Sequence, residues 1–213
     1  MHDRTTPIDD FLSATAARQP TPGGGSVAAL AGALSAAIGE MVLAYSVGRR
    51  DSAAHDDQLR HVAAELAKGR EVLLQLMVDD QSAYAELTAV RKLPADSAER
   101  ADRLPATVLA CVRCPQAIGA TAVAILGLCE QVVDHVNPWL LSDLAVCADL
   151  ATATARAAGY NVRVNLPSVT DIDARGKLAA ETDQIWSNAL ERVKRVSPKI
   201  WARDAAVRAS RSA

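Results

Sequence analysis

One pattern narrows the fold of this chain more than any other. Val62, Leu66, Gly69, Leu73, Leu76, Asp80, Ala83, Leu87 and Val90 follow one another in alternating steps of four and three. Such stepping keeps one face of an α-helix and is incompatible with a strand, where sides alternate every second residue. It predicts a helix over His61 to Lys92, stopped by Pro94, with its seam turned toward other helices of a bundle. Asp80 is the carboxylate in that seam.

The stepping recurs at Leu104, Val108, Cys111, Pro115, Ile118, Ala122, Ile125, Cys129 and Val132. Because it crosses Pro115 in register, it predicts a second long helix bent at Pro105 or Pro115, opened by the capping pair Asp96 and Glu99. Helices of this length run about 50 Å at 1.5 Å per residue. The expected fold is therefore all-α: an elongated up-and-down bundle, long enough to suggest a helix-mediated dimer. Half the residues are hydrophobic but only 3% aromatic, and alanine supplies much of the apolar content. That favours closely packed helices over a β-sandwich.

The other elements follow from punctuation. Thr6 as N-cap and Pro7 at the first helical position open a helix to about Arg18. Pro20-Thr21-Pro22-Gly23-Gly24-Gly25-Ser26 is the densest run of breakers, followed by a proline-free helix from Val27 to about Val47, rich in Ala and Gly. Gly48 to Asp57 is a polar loop and Asn137-Pro138 a turn. Ser142-Asp143 caps a helix that Gly159 should end. Asn161-Val162-Arg163-Val164-Asn165-Leu166 alternates with period two and is expected to cross as an extended segment. Thr170 or Asp171 starts a last long helix to about Val196, and Ser197-Pro198 a short basic one. No repeat and no linker appears, so residues 1–213 are expected to form a single helical domain with a basic tail from about 198.

Composition excludes several functions. With 23 Lys and Arg against 25 Asp and Glu, the formal charge is -2, which gives no general attraction to nucleic acid or anionic membrane. The start of the chain is polar, and the longest uncharged apolar runs, Val27 to Gly39 and Ala117 to Cys129, fall short of the roughly 20 residues of a membrane span. A cytoplasmic location is expected, which suits four scattered, reduced cysteines. Cys111 and Cys114 have half-site spacing without a second pair, so they are read as small buried hydrophobes and no metal is expected. The histidines are dispersed and nothing supports a nucleophilic serine.

Four features could carry chemistry. Three glycines before a helix expose backbone N–H groups at its positive end; they can hold a carboxylate, a phosphate or a polar ring edge, or simply make a tight turn. Asp80 either faces a cleft, is tied to an arginine such as Arg103, or lies where the seam drifts to the surface. Asp143, Asn137, Asn161 and Asn165 form a third group, each explained singly by capping or turns. From Glu191 to Arg211 there are seven Lys or Arg against two acids, a solvated basic face or an attractor for a polyanionic substrate tail.

These residues resemble a known family. Phe11-Leu12, Pro20 to Leu30 and Glu40-Met41-Val42 are similar to the opening of the cyclodeaminase/methenyltetrahydrofolate cyclohydrolase family. Gly48-Arg49, Asp80 to Tyr84, Lys92-Leu93-Pro94, Arg103, Asn137-Pro138 with Ser142-Asp143, and Asn161 to Leu166 keep the family's order. Ala95 and Val136 depart from it, standing where many members have Lys and Gly. The resemblance implies an all-helical homodimer that binds a reduced folate between helices, without metal or redox cofactor. It implies either hydrolysis of 5,10-methenyltetrahydrofolate to 10-formyltetrahydrofolate, or closure of 5-formiminotetrahydrofolate with loss of ammonia. A chain without an attached formiminotransferase favours the first; a folate-binding homologue without catalysis is a further alternative. Within that frame Asp80 is the expected proton-transfer group and Asp143 a second acid. Gly23, Gly24, Gly25 and Ser26 would bind a polar edge or carboxylate of the folate. Asn161, Arg163 and Asn165 would bond its rings or linker. Tyr84, Lys92, Arg103 and Asn137 complete the expected substrate contacts.

Overall fold

The computed structural model describes residues 1–212, with side chains through Ala209. Six helices carry the chain: α1 (Ile8–Ala16), α2 (Gly24–Ala44), α3 (Asp56–Arg91), α4 (Ala98–Val132), α5 (Leu141–Asn165) and α6 (Ile172–Ser212). The all-α expectation holds. α2 to α5 close a four-helix ring in which α2 packs on α3 and α5, and α4 on the same two from the other side. Short connections make successive helices antiparallel. Thus Arg103 near the start of α4 pairs with Glu86 near the end of α3. α6 lies in the groove between α4 and α5 and runs parallel to α4, pairing Arg192 and Arg195 with Glu130, and Lys199 with Asp134.

The small residues of α2 let this ring close tightly. Ala28, Ala29, Ala33 and Ala36 are all buried. At Gly32 a Cβ would lie 3.0 Å from Thr154 Cγ2 and 3.1 Å from Leu73 Cδ1, so α3 and α5 both press on the α2 backbone. The core behind it is aliphatic, built on Leu43, Leu59, Leu73, Ile118, Ile125, Leu126 and Leu144, each worth roughly 1.5–3 kcal/mol of burial.

Several expected boundaries move. Ser97, not Asp96, caps α4, its hydroxyl accepting the Arg100 N–H. Pro7 rather than Thr6 holds the N-cap position of α1, because the Thr6 hydroxyl is turned back to accept the Asp3 N–H. α4 continues unbroken through Pro105 and Pro115. Gly159 does not end α5, and 161–166 is not an extended crossing. α5 runs through Gly159 to Asn165, since Val162 and Leu166 bury against Val112 and Leu178. That packing outweighs the roughly 1 kcal/mol that a helical Gly costs.

The separate basic tail helix is also corrected. α6 passes Pro198 without a break, held by buried Val196 and Ile200 on either side. Among the described residues most of its basic side chains beyond Glu191 are engaged rather than a free basic face. Besides the ion pairs to Glu130 and Asp134, Arg203 donates to the carbonyls of Val133 and Val136, beyond the C-terminus of α4.

Two helices, α2 and α4, are long and apolar enough to cross a membrane by length and composition, although each is half buried within the bundle. The amide of Gln81 in α3 is buried too, exchanging hydrogen bonds with the backbone of His2 and so tying the first residues of the chain to α3.

The α2–α3 contact makes a stability prediction. Leu73→Ala leaves a void against Gly32 and should lower the unfolding free energy by about 2–5 kcal/mol. Urea denaturation checks it; a loss well under 1 kcal/mol would mean that the two helices are not tightly packed there.

Candidate functional site

A cleft of about 450 Å³ opens where the turn before α2, the second half of α3 and the end of α5 converge. Asp80 lies at its head. Its carboxylate accepts the Ser26 hydroxyl at 2.8 Å and also the Ser26 backbone N–H. Gly25 makes room for it: a Cβ there would sit 2.0 Å from Asp80 Oδ1. A Cβ on Gly24 would come within 3.1 Å of the Asn161 side-chain oxygen. Close approach of α3 and α5 therefore explains two of the three glycines, and the first turn of α2 already carries a carboxylate supplied by the protein itself.

Burial pushes the Asp80 carboxyl up from the ordinary carboxylate value, and the two Ser26 hydrogen bonds pull it part of the way back; the balance lies on the raised side. Among the described residues no cation forms an ion pair with Asp80. The Arg103 alternative fails because that guanidinium is held on the surface by Glu86 and Glu99, each at 2.5 Å. Nor does the seam carry Asp80 out to the surface, although the fully buried line shifts by one residue there. Asp80 is half-buried, with Met77 and Gln81 taking the fully buried positions beside it.

The α5 wall is built by a proline. Pro115 has no N–H to give the carbonyl four residues earlier, that of Cys111. Asn165 supplies the missing donor, its side-chain amide reaching Cys111 O at 3.2 Å and Asn161 O at 2.9 Å. Asn161 in turn donates to Ala157 O. With their amide N–H groups engaged along the helix, both asparagines have carbonyl oxygens to offer the cleft. Tyr84, one turn after Asp80 on α3, presents a partly exposed ring to the same space.

Gly23, Gly24, Gly25, Asp80, Tyr84, Asn161 and Asn165 thus line one cleft, and Ser26 bonds Asp80 from behind. Five expected residues lie elsewhere. Asp143 is in the first turn of α5, about 27 Å along that helix from Asn161. Asn137 is at the same far end, capping Trp139 N and bonded to Ser46 and Tyr45. Arg103 is in its surface pairs. Arg163 turns to the opposite side of α5, paired with Asp183 and stacked 4.2 Å over Trp186. Lys92 is exposed just beyond α3, a helical step away from the face that Asp80 shares. The sequence reading missed Arg91, Cys111, Ser168, Pro20 and Thr21, all of which line the cleft. Arg91 was findable: eleven residues, three helical turns, place it on the face of Asp80.

An antiparallel helical bundle with a half-buried acid at the mouth of a glycine-started helix defines the class of this protein. The sequence profile described as formiminotransferase-cyclodeaminase matches residues 7–184. The chain belongs to that family. It is 30% identical over 202 residues to the formimidoyltransferase-cyclodeaminase of Gallus gallus, covering 93% of this chain and 37% of that protein. It thus spans just over a third of that relative's length. It is 29% identical over 168 residues to the methenyltetrahydrofolate cyclohydrolase of Methylorubrum extorquens, covering 77% of this chain and 81% of that protein. The crystal structure of a formiminotetrahydrofolate cyclodeaminase from Thermotoga maritima has the same fold, with a TM-score of 0.87 at 21% identity over 93% of this chain and 97% of that one.

The Gly25–Asp80 contact is testable without substrate. Gly25→Ala should destabilise the protein by about 1–3 kcal/mol through the clash. In an Asp80→Ala background the same change should cost nothing, or stabilise by up to about 1 kcal/mol. Additive effects of the two substitutions in denaturant unfolding would contradict the contact.

Proposed function

We propose that the chain is a methenyltetrahydrofolate cyclohydrolase. The observation that supports this most is Asp80: a half-buried carboxylate with a raised pKa and no ion-pair partner among the described residues, at the head of a cleft that offers amide oxygens and an aromatic ring. The bridging carbon of 5,10-methenyltetrahydrofolate is an amidinium cation, and a partly desolvated carboxylate favours it there. Asp80 takes a proton as water adds to that carbon, giving a neutral tetrahedral carbinolamine. The protonated Asp80 then delivers the proton to N5 as the C–N5 bond breaks and its electron pair stays on nitrogen. The new formyl group on N10 sheds its hydroxyl proton to solvent, so one proton is released overall. The carbon keeps its oxidation level throughout, so no redox carrier is required.

Tyr84 offers a face for the pterin ring, and the oxygens of Asn161 and Asn165 accept from its N–H groups. Correspondence with the Methylorubrum extorquens cyclohydrolase over most of that protein's length supports hydrolysis. Ammonia loss from 5-formiminotetrahydrofolate is the second reading, supported by the likeness to the Gallus gallus protein. It passes through the same tetrahedral carbon. The two reactions separate by loss of methenyl absorbance against release of ammonia; tight folate binding with neither would mark a homologue without catalysis. The four unbridged cysteines suit work in the cytoplasm.

Asp80→Asn should lower turnover at least about a hundredfold. Wild-type turnover should fall as pH drops through the Asp80 pKa, which burial raises from its ordinary value of 3.8, because the base is then already protonated. Stability moves the other way. A carboxyl whose pKa is higher folded than unfolded costs stability once both states are ionised, and that cost fades as pH falls from the folded value toward about 3.8, the unfolded one. Asp80→Asn should therefore melt no lower than wild type at pH 7, with any gain shrinking toward pH 4. Near-normal turnover, or a melting point well below wild type, would sink the assignment.

We further infer a homodimer across α2. Its outer face carries Val27, Leu30, Leu34, Ile38, Met41 and Tyr45, with Leu34 50% and Tyr45 64% exposed. No charge interrupts the helix from Gly24 to Gly39. A second copy related by a two-fold axis offers the matching uncharged stripe. Leu34→Glu should shift sedimentation from dimer to monomer; a wild type that sediments as a monomer refutes the pairing.

A further inference from the structure

The cleft holds two charged side chains, Asp80 at its head and Arg91 farther along the same helix, in a lining otherwise neutral. Their separation is about 16 Å along the axis of α3, and three helical turns bring both onto one face. Arg91 is the last residue of α3. It donates to the Ser168 hydroxyl at 3.1 Å, and among the described residues it has no ion pair. Most arginines on this surface do. Arg4, Arg49, Arg60, Arg70, Arg103 and Arg113 all pair with carboxylates. Cys111 marks the space between the two cleft charges. Burial above all pushes its thiol pKa up; Asp80 adds to that and Arg91 opposes it, so both fields reach the same wall.

Resting on the folate reading above, we propose that Arg91 is the specificity-determining residue of this cleft, seating the carboxylates of the substrate's glutamate end while Asp80 faces the cationic ring end. The substrate carries opposite charges at opposite ends, and so does the cleft. The α2 N-terminus, which could otherwise attract the anionic end, is already occupied by Asp80. A guanidinium with one neutral hydrogen-bond partner keeps most of its donor fork for a carboxylate. The Ser168 contact anchors one end of an exposed guanidinium at the mouth of the cleft. Arg91 thereby fixes which way round the substrate enters, and selects for molecules with an anionic end.

Calorimetry with two probes tests this: tetrahydrofolate, and its bis-amide, in which both glutamate carboxylates are neutral carboxamides. Wild type should prefer the diacid by about tenfold or more, the usual strength of a charge-assisted bond. Arg91→Gln should lose that preference by weakening the diacid while leaving the bis-amide within about twofold. Arg91→Lys should recover part of it. Wild type binding both probes alike, or Arg91→Gln keeping the wild-type preference, overturns the proposal and leaves the folate reading intact. Wild type binding neither probe removes the folate reading and this proposal with it.

Discussion

The contact between the Asp80 carboxylate and the first turn of α2 organises everything else in this molecule. Two effects compete there. Hydrogen bonds from Ser26 and the positive end of a helix favour the charged carboxylate, while burial between α2 and α3 disfavours it. Burial is the larger. The result is an acid hydrogen-bonded in place whose pKa is nonetheless raised from the ordinary carboxylate value, so that it takes up a proton more readily than an exposed aspartate, as proton transfer to and from a substrate needs. A salt bridge would have fixed the geometry equally well, but it would have lowered the pKa and removed that capacity.

The fold exists to hold that contact. The small residues of α2 bring its backbone against α3 and α5, so the helix begins within reach of side chains from both. Gly25 yields space to Asp80 and Gly24 to Asn161. On the other wall, Pro115 breaks one hydrogen bond of α4 and Asn165 repairs it from α5. The repair orients the asparagine and ties the two helices at the depth of the cleft. At the opposite end of the bundle the basic residues of α6 clamp the C-terminal part of α4, so the segment read as a solvated basic face or a polyanion attractor pairs with the bundle instead. Chemistry and clamping sit at different ends of the same rod.

How much of this was legible follows from which signals are local. The four-three seam revealed α3 and α4, and Asp80 stood out as the one acid in it. The glycine run marked the start of α2. The end of α5 was misread because Gly159 and the alternating valines argue locally for a break and an extended segment, and only contact with Val112 and Leu178 reverses that. Pro198 misled in the same way. Asp143, Asn137 and Arg163 were grouped with the site by family order along the chain, yet order is not proximity: the first two lie at the far end of the bundle and Arg163 faces α6. Arg91 shares the helical phase of Asp80, but an arginine at a helix end is ordinarily a solvated C-terminal residue, so the spacing alone did not single it out.

Two opposite charges in one cleft raise the question of why they do not neutralise each other. At about 16 Å their attraction is roughly 0.3–1 kcal/mol for effective dielectrics between 80 and 20. That is too little to collapse the cleft, and too little to pull the Asp80 pKa back to that of a paired carboxylate. It is also less than either group gains from a substrate charge in direct contact, since a charge-assisted hydrogen bond contributes about 1.5–3 kcal/mol. Spacing, then, is what keeps the two groups independent: near enough to read one molecule from both ends, far enough apart that neither spends its charge on the other. Moving the cation two turns closer to Asp80 would more than double the attraction between them and draw the acid toward the salt-bridged state that the buried position avoids.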